Sequence, residues 1–512
     1  MLHQKSENNT RIAKNTMFLY FRMILIMLVN LYTSRVILMS LGVEDYGIYN
    51  VVGGIVTMFS FLNGSMASST QRYLTYELGN GNVEKLKKIF STSLNIHLLL
   101  AGLIVILAES IGLLFLNYKL NIPYDRMFAA NIVYQFSILT FFINIIQVPY
   151  NAALIAHEKM GIYAYISILE VVLKLFVAYV IFYTSIDKLI IYSGLIFLVQ
   201  LLIRFIYQLY CKRKYVECHF RIIKDIKLYK EMTSFAGWNL FGSMAWICRD
   251  QGVNIVVNLF FGPVVNAARA ISGQVSGAVM GFISNFQTAL NPQITKLYAT
   301  GETDKMEKLV FKGIKFSFCL LFLIAFPLAI NITYILELWL KDVPDYVSGF
   351  VVFILIDSLC STLYGNPLMT SLAATGNIRN YQVFVSLCVL LTLPSAYLLL
   401  VLGGNPYSIF IAVILWTNIS GILRFYYCNK QIGFRWKKFW IDVIFPIFKL
   451  LVLSLPIPLY IRWHMHETNT LWVTFFLIMI SFCLSFVACW SVVLNKEEKR
   501  FFINNIKNRM SK

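Results

Sequence analysis

The sequence is poor in charged residues. Only 13% of its 512 residues are Asp, Glu, Lys or Arg, and 25 acidic residues stand against 44 basic ones. Soluble domains carry about 25% charged residues, so this composition excludes an ordinary globular protein. Hydrophobic residues make up 58% of the chain and the mean hydropathy is +0.68. Together these values predict a polytopic membrane protein.

Motifs of several enzyme classes are missing as well. No Gly-x-x-x-x-Gly-Lys-Ser/Thr segment occurs, which excludes that type of phosphate loop, and Gly79-Asn-Gly81 lacks the third glycine of a dinucleotide site. The nine cysteines include no Cys-x-x-Cys pair, and His464 and His466 give only a weak metal signal. The outer loops are too short for a catalytic domain, and the polar start predicts no signal peptide. We expect no enzymatic activity, no cofactor and no metal.

Long apolar runs fill most of the chain. A helix needs roughly 20 apolar residues to cross a bilayer. We predict fourteen spans, at 17–40, 46–68, 89–116, 126–148, 161–184, 189–210, 233–261, 264–290, 314–338, 348–370, 381–402, 406–428, 442–462 and 470–493. Backbone cannot stay unpaired in lipid, and the runs are too continuous for barrel strands. The predicted fold class is therefore all-α, with about 14 transmembrane helices.

Basic residues fall mainly in alternate loops. Most of the 44 lie in the two terminal tails and in every second loop, above all in 211–231 and 296–315. The opposite loops carry only Lys119, Arg126, Lys188, Lys341 and Arg462. The positive-inside rule therefore predicts that both termini are cytoplasmic. The net charge of +19 then belongs to loops that face anionic lipid, and no nucleic-acid partner is expected.

The chain contains an internal repeat. Pro149 to Leu154 matches Pro367 to Leu372 at an offset of 218, Leu41-Gly42 matches Phe261-Gly262 at 220, and Val83 to Leu86 matches Met306 to Leu309 at 223. Six spans separate the copies, so the two halves run through the membrane in the same direction. We predict two parallel six-helix bundles and an appended helix pair, with boundaries at 1–210, a basic cytoplasmic linker 211–231, 232–428, and 429–512 with its basic tail.

Polar residues at bilayer depth are concentrated in spans 1, 2, 7 and 8, which are equivalent positions in the two halves. Charge in lipid is costly, so such residues are first candidates for function. Arg249 is too deep to snorkel easily, although Asp250 next to it could pair with it. Asp357 has no basic partner on its own helix and is either a protonated buried acid or an ion site. A central cavity shared by the two halves explains this symmetry.

Two further groups of residues have a structural explanation as well as a functional one. Gly273, Gly277 and Gly281 form a stripe along span 8 that either packs against another helix or lines a cavity. Glu170 and Lys174 are four residues apart on span 5, so we expect them to neutralise each other.

The region around the first outer loop resembles a known family. Arg35 to Gly42, followed by Tyr46-Gly47, resembles the first-loop signature of the polysaccharide flippases called Wzx, of the multidrug/oligosaccharidyl-lipid/polysaccharide (MOP) superfamily. Residues 63–72 and 262–269 are similar to segments of its lipopolysaccharide and O-antigen members. With the fourteen spans and two halves, the resemblance covers nearly the whole chain. Its motifs are specific to the superfamily and weak at choosing a substrate.

The resemblance implies a function. Two bundles would form a V-shaped cavity that alternates access across the inner membrane of a bacterium. They would move undecaprenyl-diphosphate-linked oligosaccharide to the outer leaflet, with energy from an ion gradient or the membrane potential. Besides this cargo and membrane lipids, the implied partners are a polysaccharide polymerase and glycosyltransferases.

Arginine presents a fork that suits phosphate oxygens, and amide side chains suit sugar hydroxyls. The predicted substrate-binding residues are Arg22, Arg35, Arg249, Arg269, Asn254, Asn258, Gln274 and Asn285. The predicted ion-coupling residues are Asp250 and Asp357, since burial can raise a carboxyl pKa.

Three other functions stay open from the sequence. A cation-coupled multidrug exporter of the same superfamily would favour acidic residues in its site, whereas arginine outnumbers aspartate here. A peptidoglycan-precursor flippase is chemically closer, and only its substrate would separate it. A non-transporting scaffold for biosynthetic enzymes would tolerate loss of the central arginines.

Overall fold

The computed structural model describes residues 2–57, 60–119, 122–184, 187–221, 223–340, 343–464, 471–495 and 498–499. Within these ranges some side chains, those of Arg35 and Asn258 among them, lie outside the described part. The described residues form helices and turns without a strand. This confirms the all-α class.

Nineteen α-helices are present in the described ranges. They are α1 Leu2–Thr57, α2 Ser60–Asn80, α3 Val83–Leu107, α4 Leu113–Lys119, α5 Met127–Ala156, α6 Met160–Phe182, α7 Lys188–Lys214, α8 Ile226–Ala299, α9 Thr303–Ile330, α10 Ile332–Leu340, α11 Val347–Leu363, α12 Asn366–Thr375, α13 Arg379–Leu390, α14 Thr392–Val401, α15 Ser408–Ile432, α16 Trp436–Phe439, α17 Phe445–Ser454, α18 Pro456–His464 and α19 Leu471–Ala488. Short π-helical turns at Ala108–Gly112, Trp440–Ile444 and Cys489–Val493 join or extend them, and 3₁₀ turns lie at Tyr124–Arg126 and Val216–Cys218.

Ten stretches of the described residues are long and apolar enough to cross a membrane. They are Val83–Tyr118, Tyr124–Ala156, Met160–Phe182, Lys188–Lys214, Thr303–Ile330, Val347–Thr375, Arg379–Val401, Ser408–Ile432, Trp436–His464 and Leu471–Val493. They coincide with ten of the fourteen predicted spans. The other four, spans 1, 2, 7 and 8, lie in α1, α2 and α8 and are the spans in which polar residues were noted. The chain is therefore a multi-pass membrane protein with about fourteen spans.

Helices α1 and α8 are each bent at one glycine. Gly42 has φ 80° and ψ 170°, and Gly262 has φ 77° and ψ −172°. A side chain at such a positive φ would be strained, so glycine is required at both bends. The bends lie between spans 1 and 2 and between spans 7 and 8, where the sequence predicted almost no loop. The two glycines are 220 residues apart, as the repeat requires.

Other equivalent contacts support the repeat. The Cys211 thiol donates to the Tyr150 carbonyl at 3.7 Å, and the Cys428 thiol donates to the Leu368 carbonyl at 3.8 Å. Gly81 and Gly301, both at φ 74°, lie two residues before the starts of α3 and α9. These starts, at 83 and 303, give an offset of 220. The sequence match at 223 therefore differs from this offset by three residues, because Asp304-Lys305 and Glu307-Lys308 repeat at that spacing in α9.

The chain forms two compact units. One comprises residues 11–240, and the other comprises residues 241–512 together with 1–10. Each has its own apolar core in the described residues, one around Val133, Tyr134 and Ala130 and the other around Phe350, Leu321 and Val257. The first turns of α8 belong to the first unit, where the Ser69 hydroxyl donates to the Met232 carbonyl at 3.3 Å. The predicted linker 211–231 thus ends inside a helix that packs against α2.

The appended helices α16 to α19 are held to α9 by charge. Glu307, 2% exposed, accepts hydrogen bonds from Arg435 at 2.6 Å and from Lys438. The Lys315 ammonium donates to the Val493 carbonyl at 3.3 Å. Arg435 and Lys438, which precede span 13, therefore form a fixed joint to α9, because a buried carboxylate needs such partners.

Arg126 ties three segments of the first unit together. It forms a two-bonded pair with Asp45 at 2.6 and 2.9 Å and a further pair with Asp187 at 2.8 Å. Asp187 also caps α7, since its Oδ1 accepts from the amides of Leu189 and Ile190. Burial raises the pKa of Asp187, but the hydrogen bonds from Arg126 and from the backbone outweigh burial and hold this pKa below its ordinary value.

This joint predicts acid sensitivity. The carboxyl of an unfolded Asp titrates at about 3.9. A lower pKa in the folded state means that the stabilisation is complete above that pH and is lost as the pH falls through the folded-state value. We expect thermal unfolding of Asp187→Asn to respond less to a change from about pH 6 to about pH 3 than that of the wild type, by about 1 kcal/mol. Equal responses would show that the pair contributes nothing.

Candidate functional site

The unit of residues 11–240 contains a polar cavity of about 250 Å³. Helices α1, α5, α6 and α7 supply its walls. The lining residues are Arg22, Ile26, Asn30, Gln147, Asn151, Tyr163, Ser167, Glu170, Val171, Lys174 and Tyr207. Most of them carry hydrogen-bonding groups, which is unusual for a helix bundle in lipid and marks the cavity as a binding site candidate.

Arg22 is held at the cavity by an aromatic ring. Its guanidinium lies 4.6 Å from the centre of the Tyr163 ring, and Nη2 donates a long bond of 3.4 Å to the Tyr163 hydroxyl. Its Nε is buried and has no hydrogen-bond partner among the described residues. No described carboxylate lies within 4 Å of it. Arg22 therefore brings a positive charge that its surroundings do not neutralise.

Two amide side chains on α5 also leave an oxygen unpaired. Gln147 is 7% exposed, and its Oε1 has no hydrogen-bond partner in the described part of the chain. The same holds for Oδ1 of Asn151, four residues later on the same helix face. Buried polar atoms are usually paired, so these two oxygens indicate a bound molecule or water.

Glu170 and Lys174 form the ion pair that their spacing predicted. The Lys174 ammonium donates to Glu170 Oε1 at 2.6 Å, and Gln200 Nε2 donates to the same oxygen at 2.8 Å. Lys174 thus neutralises this carboxylate, so the pair adds no net charge to the cavity, and the positive charge of Arg22 is not balanced by it.

A second polar cluster lies in the unit that contains 241–512. Arg269 Nη2 donates to Asp250 at 2.8 Å, and Nη1 donates to Asn254 Oδ1. The bend at Gly262 turns α8 back on itself and so brings residues 19 apart in sequence into contact. The sequence suggested Asp250 as the partner of Arg249. The structure pairs Asp250 with Arg269 instead.

Arg249 is consequently left without an ion-pair partner. Its guanidinium stacks on Trp246, 4.3 Å from the ring centre, and no described carboxylate comes within 4 Å. Asp357 on α11 belongs to the same unit as Arg249. Asp357 Oδ1 is buried and has no hydrogen-bond partner among the described residues. Arg249 and a carboxylate oxygen with no hydrogen-bond partner among the described residues thus belong to one unit.

The glycine stripe of α8 faces open space. A Cβ at Gly273 or Gly277 would meet no described atom within 4 Å. Close helix packing, one of the two explanations for the stripe, is therefore absent at these two positions. Gln274 beside them is exposed, whereas the Asn285 amide donates to the Gly281 carbonyl of its own helix at 2.9 Å.

The structure groups the predicted site residues by unit. Asp250, Asn254 and Arg269 are in contact, and Arg249 and Asp357 belong to the same unit, whereas Arg22 lies in the cavity of the other unit. Arg35 and Asn258 have a described helical backbone, but their side chains lie outside the described part.

Gln147 and Asn151 were not predicted. The same i, i+4 spacing that drew attention to Asp250 and Asn254 would have found them, but neither is charged and Asn151 was noted only as part of the repeat.

Comparisons with known proteins place the fold. Residues 19–180 match the MatE family. An outward-facing multidrug resistance MATE family transporter of the MOP superfamily is 14% identical, with a TM-score of 0.70 over 83% of this chain and 96% of that one. A MOP superfamily transporter from Pyrococcus furiosus is 15% identical, with a TM-score of 0.68 over the same shares. A MATE structure in the bent conformation is 13% identical, with a TM-score of 0.71 over 83% and 96%. No curated protein matches the sequence. The chain has the fold of MATE transporters.

Proposed function

We propose that the protein is a flippase that moves an undecaprenyl-diphosphate-linked oligosaccharide from the cytoplasmic to the outer leaflet of the bacterial inner membrane. The observation that carries the proposal is Arg249, a membrane-helix arginine that stacks on Trp246 and has no carboxylate within 4 Å in the described residues. A charge in such a place is costly unless a ligand uses it. A lipid diphosphate supplies the matching negative charge.

The chemistry of the surrounding cluster fits this cargo. Arginine binds phosphate oxygens through two parallel hydrogen bonds, and the attraction is stronger in a site that excludes water. Arg269 and Asp250 neutralise each other, so they add hydrogen-bonding capacity without adding net charge. Sugar hydroxyls can meet Asn254 and Gln274, while the lipid tail stays in the bilayer.

Asp357 supplies a means of coupling to a proton gradient. When ionised, its carboxylate competes with the diphosphate for the charge of Arg249. Protonation of Asp357 removes that competition, so the protonation state of this carboxyl and the binding of cargo are coupled.

The polarity of the clusters argues against the exporter alternative. For the transporter from Pyrococcus furiosus, reverse polarity of the binding pocket suggests a different function. We apply the same criterion here: both clusters contain an arginine with no carboxylate within 4 Å in the described residues. A cationic drug would be repelled by these charges, whereas an anionic lipid would be attracted.

Transport in proteoliposomes tests the proposal. We expect labelled undecaprenyl-diphosphate oligosaccharide to appear in the opposite leaflet faster than in protein-free vesicles, and faster still under an imposed proton gradient. Lipid II, a peptidoglycan precursor with the same diphosphate and a different saccharide, serves as the matched cargo. Movement of Lipid II alone would replace the polysaccharide cargo by a peptidoglycan precursor. Efflux of an organic cation with no lipid movement would establish the exporter instead.

A further inference from the structure

The cavity of the first unit offers unpaired groups of both hydrogen-bonding kinds. Gln147 Oε1 and Asn151 Oδ1 can accept hydrogen bonds, and Arg22 Nε can donate one. All three atoms are buried and lack partners among the described residues. A ligand that satisfies them must carry an N–H or O–H donor close to a carbonyl or hydroxyl acceptor. A carboxylate or phosphate supplies only acceptors and would leave both amide oxygens unpaired.

The same cavity has a small apolar wall. Ile26 on α1 and Val171 on α6 are its aliphatic lining residues, and Val171 is 6% exposed. A methyl group placed there would leave water for an apolar contact. A ligand that combines a donor, an acceptor and a methyl group matches this lining, and an acetamido group has that composition.

The charge of Arg22 and the volume of the cavity narrow the class of ligand further. Because Glu170 is engaged by Lys174 and Gln200, the free charge of Arg22 disfavours a ligand with an ammonium group. The volume of about 250 Å³ is below the roughly 300–1,000 Å³ of sites for drug-sized ligands. It suits a single sugar ring.

We propose that this cavity binds an N-acetylated amino sugar. The acetamido N–H donates to the amide oxygen of Gln147 or Asn151, its carbonyl accepts from Arg22 Nε, and its methyl packs on Ile26 and Val171. The inference rests on the proposed function, since it identifies one sugar of the oligosaccharide cargo. It concerns the unit of residues 11–240 alone.

Saturation-transfer difference NMR on the purified full-length protein tests this inference directly. The probes are N-acetylglucosamine, glucose and glucosamine, which differ only at one substituent. We expect N-acetylglucosamine to bind at least tenfold more tightly than the other two, with its acetyl methyl protons receiving the strongest saturation. Equal binding of glucose, or no binding of N-acetylglucosamine, would overturn the proposal.

Three variants assign the contacts. Gln147→Met combined with Asn151→Leu removes both amide oxygens at a similar side-chain size, and Arg22→Lys keeps the charge and removes Nε. Each should abolish the preference for the acetylated sugar. Val171→Thr replaces one methyl by a hydroxyl at the same volume and should weaken saturation of the acetyl methyl more than that of the ring protons. Retention of the full preference in all three would place the sugar elsewhere.

A variant in the other unit separates this inference from the proposed function. Arg249→Gln should bind N-acetylglucosamine like the wild type, because Arg249 is not among the residues that line this cavity. If the sugar binds but no lipid is transported in vesicles, the flippase proposal fails and the sugar site stands. If lipid is transported but the sugar does not bind, only the sugar site fails.

Discussion

Replacing Arg249 by glutamine should reduce transport of the lipid diphosphate by about 10- to 100-fold. A hydrogen bond to a charged group contributes about 1.5–3 kcal/mol, and every 1.4 kcal/mol is a factor of ten. Arg249 has no carboxylate within 4 Å in the described residues, so its removal leaves no broken ion pair behind. The variant should therefore fold and insert normally, and its transport defect should be visible at equal protein levels.

Two companion variants make this result specific. Arg249→Lys keeps the charge but loses the planar fork, so its transport should fall between that of the wild type and that of Arg249→Gln. Lys449 on α17 is the matched control, because its ammonium also lies over an aromatic ring, 4.3 Å from the centre of Phe445. Lys449→Gln should transport normally. Wild-type transport by Arg249→Gln would remove Arg249 from the site.

The parts of the fold that local sequence determines could be predicted well. The repeat matches Gly42 with Gly262, because each lies between two apolar runs that have almost no loop between them. The structure gives both glycines a positive φ. Glu170 and Lys174 were paired from their spacing on one helix. In these cases the contact is made within a few residues, so helix geometry alone gives the answer.

Contacts that depend on how helices bend and pack could not be predicted. Asp250 and Arg269 are 19 residues apart and would not touch on a straight helix. Only the bend at Gly262 brings them together. That pairing changed the expected partner of Arg249. Gln147 and Asn151 could not be predicted for another reason. An uncharged amide indicates a binding site only when its neighbours leave its hydrogen-bonding atoms unpaired, and that depends on packing.

A pair of glycine substitutions should separate an open face of α8 from a packed helix contact. Gly277→Leu adds a side chain where the described structure offers no atom within 4 Å, and leucine favours both helix and lipid. Gly421→Leu on α15 adds the same side chain where a Cβ would already overlap the Tyr364 ring. We expect normal expression and an unchanged or higher unfolding temperature for Gly277→Leu, but a lower yield of folded protein for Gly421→Leu.

We expect the transport rate per folded molecule to fall more in Gly277→Leu than in Gly421→Leu, which is the opposite of the order for folding. If the face of Gly277 lines the cargo path, the added leucine overpacks it at a cost of about 1–3 kcal/mol, and transport by Gly277→Leu falls by about 10- to 100-fold. The folded fraction of Gly421→Leu should transport within a few-fold of the wild type, because Tyr364 is not among the predicted cargo-binding residues. Full transport by Gly277→Leu would mean that the glycine stripe faces lipid. The cargo path would then lie beside Arg249 and Asp357 of the same unit.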